Sequence, residues 1–168
     1  MTPRPLTLRD LPGLLEVQRA CYGAGFVESA EVFARRLASP AQYSLVLEDG
    51  GRVCAYLAAY DTLQGKVTPL HGDFEAVDLP DTLYLHDMAV LPGLAGRGLA
   101  RALLEPLWRQ AMARGLRRSA LVSVQGSQGF WERHGYAVQA LPDAAQRQRL
   151  AAYGEGAVYM VRTLPDCG

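Results

Sequence analysis

The chain has 168 residues, 49% of them hydrophobic, enough to bury a continuous core as one ordinary domain (1–168) without disulfide or metal staples. Its 17 Lys and Arg balance 17 Asp and Glu, so there is no global field to gather nucleic acid or an anionic membrane. No stretch has the apolar length of a membrane span, the N-terminus carries no basic-then-apolar signal pattern, and Cys21, Cys54 and Cys167 form no CxxC pair, so the expectation is a cytoplasmic protein with reduced thiols and no metal site.

In chain order, Thr7-Leu8-Arg9 reads as a short strand, followed by Asp10 as a helix cap, Pro12 in the first turn, and a helix to about Cys21. A second helix fits Ser29 to Ala38, capped by Ser29 and stopped by Pro40. Tyr43 to Glu48 and Arg52 to Tyr60 flank Asp49-Gly50-Gly51 as an antiparallel hairpin. The segment from Asp61 to Asp81 has no sustained period and reads as a long loop of the kind usually tied to function. A strand follows at Leu83 to Val90, then a helix from about Gly98 to Arg114 that Pro106 should kink. Arg118 to Val124 is a strand, Gln128 to His134 a short helix, Tyr136 to Gln139 a strand, Pro142 to Ala152 a polar connection, and Ala157 to Thr163 the last strand. Early hairpins and later strand-helix-strand units imply an α/β fold of the α+β kind. It should hold a mixed, largely antiparallel sheet with flanking helices, parallel where strand 83–90 connects to strand 118–124.

The segment from Leu83 to Ala100 is a buried-type strand feeding a glycine-containing turn that opens a helix. Glycines let backbone approach a ligand closely, and the free N–H groups and dipole of a helix start favour phosphate. The turn residues Ala95, Gly96, Arg97, Gly98, Leu99 and Ala100 are therefore candidates for a pyrophosphate seat, against the plainer alternative of an ordinary helix start. Neither GxxxxGK[ST] nor a complete dinucleotide fingerprint is present.

At these residues the chain resembles the Gcn5-related N-acetyltransferase (GNAT) family, whose Gln/Arg-x-x-Gly-x-Gly/Ala signature aligns with Ala95 to Ala100, Ala95 replacing the Gln or Arg. Gly129-Phe-Trp-Glu-Arg-His-Gly-Tyr136 looks like the family's aromatic-Tyr-Glu-Lys-x-Gly-Phe segment. Trp131 stands where the family often has a Tyr that protonates the departing thiolate, and an indole N–H is too weak an acid for that. The resemblance implies the acyl-CoA N-acyltransferase fold, acetyl-CoA as cosubstrate, and a cofactor site formed by the glycine turn, Phe130, and the backbone of Met88, Ala89 and Val90. That backbone would pair with the pantetheine arm like an added strand, and the acetyl group would lie near Val90 and Val122.

For the chemistry, Asp87 is the candidate to bind or deprotonate the amine, with His86 its rival; strand alternation sends the two to opposite faces. His86 has a purely structural alternative, and so does Asp87 as a loop cap. Tyr153 and Ser127 are candidate acids by type, Tyr153 equally a packing residue. Asp73, Glu75, Asp78 and Asp81 would favour a cationic amine if their loop edges the acceptor site, and otherwise form a solvated acidic loop. Arg35-Arg36 and Arg117-Arg118 read as exposed helix-end charges. The leading function is transfer of acetyl to a primary amine of a small molecule or a protein. The rival is an acyl-CoA-binding sensor without catalysis. Family members are often dimers, so a homodimer through an exposed last strand is a further expectation.

Overall fold

The computed structural model describes residues 1–22 and 24–165. Seven strands form one sheet in the order β1-β2-β3-β4-β5-β7-β6. They are β1 (Arg4–Pro5), β2 (Leu45–Asp49), β3 (Arg52–Thr62), β4 (Thr82–Val90), β5 (Arg118–Ser123), β6 (Ala137–Val138) and β7 (Val158–Thr163). The helices are α1 (Leu11–Cys21), α2 (Ala30–Leu37), α3 (Leu99–Ala113), α4 (Gln128–Arg133) and α5 (Ala144–Ala151). All neighbouring strands pair antiparallel except β4 and β5, the parallel pair expected of the strand-helix-strand unit. Among the described residues no helix is long and apolar enough to cross a membrane.

Two apolar layers sandwich the sheet. On one face α1 buries Leu11, Leu14 and Val17, and α2 adds Phe33, against Tyr56, Tyr84 and Ala120. On the other, α3 lays Leu103, Leu104, Leu107 and Trp108 over Leu57, Leu83, Leu85 and Leu121. Full burial of one such leucine is worth about 1.5–3 kcal/mol, so these periodic faces hold both helices to the sheet. α3 runs unbroken through Pro106, which costs it one ladder hydrogen bond.

Several expectations need correction. Thr7 to Arg9 is not a strand: Leu8–Asp10 is a 3-10 turn, and the pairing lies earlier, at Arg4–Pro5. Asp10 does not cap α1. Its carboxylate accepts from the Thr7 N–H and hydroxyl and from both terminal nitrogens of Arg4, at 2.8–2.9 Å. The polar connection after Pro142 contains α5, started by the Asp143 carboxylate accepting from Ala145 N. The last strand is no exposed edge, because β7 lies between β5 and β6. Cys21 and Cys54 are free, and Cys167 lies outside the described residues.

Candidate active site

The site starts with an interruption in the sheet. β4 and β5 pair from Thr82 with Arg118 to Leu85 with Leu121, and there the pairing stops although both strands continue. A cavity of about 270 Å³ opens at the divergence, lined by Leu85 to Met88 on β4 and by Leu121, Val122 and Val124 on the opposite side. Met88 and Val122 both line it, and Val90 does not.

On its other edge β4 carries a bulge. Ala58 pairs with Asp87 and Ala59 with Leu85, which leaves His86 unopposed. An extra residue resets strand alternation, so His86 and Asp87 do not point to opposite faces as expected. Both turn to the α1/α2 side, where His86 meets Glu28 and Asp87 meets Tyr56. Beyond the bulge, Leu91 N bonds the Cys54 carbonyl across β3. Alternation then directs the peptide groups of Met88 and Val90 away from β3, into the divergence. Their carbonyls there accept from the Tyr22 hydroxyl at 2.7 Å and the Cys21 thiol at 3.1 Å.

Glu28 organises the catalytic-side floor. Only 2% exposed, it binds Arg36, also 2% exposed, through two bonds of 2.6 and 2.7 Å, and accepts from the backbone N–H of His71 at 2.8 Å. Burial would raise its proton affinity, but the hydrogen bonds from Arg36 and His86 outweigh that and hold the carboxyl below its ordinary range. An ionised carboxylate is acceptor-only, so His86 Nε2, 3.0 Å away, must carry the proton. In the neutral ring that leaves Nδ1 as the acceptor, and Nδ1 is buried without a hydrogen-bond partner among the described residues. Gln18 completes the arrangement, its amide bracketing the backbone of Glu28 from both sides at 2.9 and 3.0 Å. Arg36 is thus no exposed helix-end charge. Sequence reading missed Gln18, a polar residue on the buried face of α1, and Glu28, which lies in the loop before α2 and has no local pattern to mark it.

Asp87 lines the cavity and accepts from the Tyr56 hydroxyl at 2.6 Å. Burial raises its carboxyl above the usual range, against the opposing Tyr56 hydrogen bond. Tyr153 lines the cavity as well, with its hydroxyl donating to the Thr68 carbonyl at 2.5 Å, and burial makes its phenol harder to ionise. Phe130, Trp131 and Ser127 form the wall from the α4 side. Trp131 is 8% exposed and packs edge-on against Phe130 and Tyr136. Of the acidic loop, Asp73 pairs with Arg35 and Asp81 accepts from Gln64 N and the Thr82 hydroxyl. Leu70 is the loop's contribution to the cavity lining.

The glycine turn fits an anionic group by its own geometry. Gly96 and Gly98 have φ of 82° and 75°, and a Cβ on either would meet nothing within 4 Å, so they are chosen for conformation rather than for tight packing. Gly98 is the N-cap of α3 and offers no side chain, which leaves the first N–H groups of a 15-residue helix without a side-chain acceptor. Ala95, Arg97, Leu99 and Ala100 complete this helix start.

Comparison with known proteins agrees with this architecture. Among solved structures, the ribosomal-protein-S18-alanine N-acetyltransferase of Escherichia coli matches at 21% identity and a TM-score of 0.72, covering 99% of this chain and 96% of that one. The GphF GNAT-like decarboxylase in complex with isobutyryl-CoA gives 17% and 0.78, covering 98% and 100%. The PaiA N-acetyltransferase of Thermoplasma acidophilum in complex with coenzyme A gives 13% and 0.67, covering 96% and 97%. No curated protein matches by sequence. The family model described as Acetyltransferase (GNAT) family matches residues 11–136, from α1 through the end of the second motif. With well over half of the chain matched, the protein belongs to the GNAT acetyltransferase family.

Proposed function

We propose that this protein is an N-acetyltransferase that moves an acetyl group from acetyl-CoA to a primary amine by direct attack in a ternary complex. The observation that carries the proposal is the placement of Asp87, a carboxyl whose proton affinity burial raises, on the lining of the cavity where β4 and β5 diverge, on the strand that leads to an uncapped glycine turn. Fold alone does not choose the chemistry, since a GNAT-like decarboxylase shares it. A base beside an acyl site is what amine transfer requires.

Acetyl-CoA supplies the activated thioester. The N–H groups of Gly98 through Ala100 and the α3 dipole would hold its pyrophosphate, and Ala95, Gly96 and Arg97 would shape the approach. Peptide groups of Met88 and Val90 would take the pantetheine amides as an added strand would, with Ala89 keeping β4 on β3 and Phe130 covering the arm. At the reacting end, Asp87 takes a proton from the ammonium so that the nitrogen lone pair can attack the carbonyl carbon. The N–C bond forms, the C–S bond breaks, the nitrogen sheds its second proton to water, and the amide and the thiolate leave. His86 is assigned a positioning part, because Glu28 fixes its tautomer and its Nδ1 can accept a hydrogen bond beside Asp87. Tyr153 is assigned to the wall: its proton is committed to Thr68. The Ser127 hydroxyl likewise donates to the Val124 carbonyl at 2.8 Å, which leaves water to return a proton to sulfur.

A thiol-release assay with acetyl-CoA and a panel of amines tests the proposal. Turnover that collapses in Asp87→Asn supports it. Trp131 in the place of the usual Tyr favours a second reading, an acyl-CoA-binding sensor, which tight acetyl-CoA binding without turnover on any amine would support instead.

A further inference from the structure

The acceptor end of the cavity is built for more than proton transfer. Its walls are the rings of Tyr22, Phe26 and Tyr153 and the side chain of Leu70. Phe26 follows α1 and Tyr153 follows α5, yet their rings stack with centroids 6.4 Å apart and planes 16° apart. Tyr22 meets Phe26 edge-on at 69°. The hydroxyl bonds of Tyr153 to Thr68 and of Tyr22 to Met88 anchor both outer rings, so this wall is assembled in advance from segments distant in sequence.

The charges narrow the choice. Among the described residues two carboxylates line the cavity, and Glu28 is already matched by Arg36, which leaves Asp87 as the anionic group for an ammonium. None of Asp73, Glu75, Asp78 and Asp81 lines the cavity, so the acidic loop gives no row of carboxylates for a polycation. Ring faces attract cations and ring edges do not. Because Phe26 and Tyr153 stack on each other, part of their face area is already used.

We infer that the acceptor is a small primary monoamine whose amino group is carried on an aromatic or similarly flat apolar group, with the ammonium at Asp87 and the carrier against Phe26, Tyr153 and Leu70. The inference rests on the acetyl-transfer reading for its chemistry, but on the cavity walls for its substrate class. A polyamine placed the same way would leave its second ammonium among apolar walls without a carboxylate, which is costly.

The test uses the full chain. Calorimetry measures 2-phenylethylamine, ethylamine and spermidine binding to protein saturated with CoA, and thiol release from acetyl-CoA is measured with the same amines. 2-Phenylethylamine should bind best and exceed both others in kcat/KM by about tenfold or more, the scale of a filled apolar subsite. Phe26→Leu should shrink its advantage over ethylamine through KM while leaving CoA affinity unchanged. If that variant does not fold, the ratios of the parent protein decide. A preference for spermidine, equal use of ethylamine, or no binding of any of the three overturns the inference. Binding of 2-phenylethylamine without thiol release supports the substrate class and overturns acetyl transfer.

Discussion

The two ends of the cleft are built from different materials. At the end proposed for the cofactor the groups on offer are backbone: the N–H groups at the start of α3 and the peptide units of Met88 and Val90. Gly96 and Gly98 offer no side chain there. At the acceptor end everything depends on side chains brought from five separate segments: Gln18 and Tyr22, Glu28, Tyr56, His86 and Asp87, and Tyr153. Backbone geometry tolerates sequence change as long as the turn survives. A buried polar network does not, because each member left unpaired costs its full desolvation. The cofactor end should therefore yield gradually to substitution and the acceptor end abruptly.

The sharpest way to break that contrast is Glu28→Ala. It leaves Arg36 charged and buried, and removing one partner of such a pair costs about 3–5 kcal/mol. Urea unfolding should show that loss, whereas Glu28→Leu combined with Arg36→Met should regain most of the stability without regaining activity. Asp87→Asn should leave the fold and acetyl-CoA affinity intact and lower kcat/KM by about 100-fold or more, the usual share of a general base. The base must be deprotonated to work, so the activity of the parent should fall as pH drops through an apparent value above the ordinary carboxylate range, the direction in which burial moves Asp87. In Asp87→Asn that acid limb should vanish.

At the cofactor end the expected effects are smaller. Gly98→Ala forces a side chain into φ of 75°, at a cost of about 1–2 kcal/mol, and should weaken acetyl-CoA binding in calorimetry without changing the pH profile. Outside both ends, Arg4 holds the Asp10 carboxyl down to about 2. A lowered carboxyl contributes stability that is present above its unfolded value and lost as pH falls toward the folded one. Thermal unfolding of the parent should decline between about pH 4 and pH 2, and Asp10→Asn should flatten that decline from a lower plateau.

Much of the fold was legible in the residues. The helices over Leu11–Cys21 and Leu99–Ala113 show as apolar periodicity and the hairpin at Asp49-Gly50-Gly51 as turn chemistry, because those signals are local. α5 was missed since eight residues, half of them Gln or Arg and none buried, carry no apolar stripe, and Asp143 is the one cue to its start. The first edge strand was misplaced because two residues of pairing depend on the partner strand rather than on their own sequence, whereas the strand expected at Tyr136 to Gln139 does contain β6.

For the site, the sequence by itself determined the glycine turn: glycines at positive φ ahead of a helix are a local pattern with a local consequence. It also named Asp87, His86 and Tyr153 as chemistry-bearing residues, but not their directions. Tertiary structure decided those. The bulge at His86 comes from register against β3, so the expected alternation failed where β4 yields to its neighbour. Glu28 could not be recognised without Arg36, His86 and His71 around it. A buried charge has meaning only through its partners, and those partners are set by how the chain folds rather than by how it is spaced.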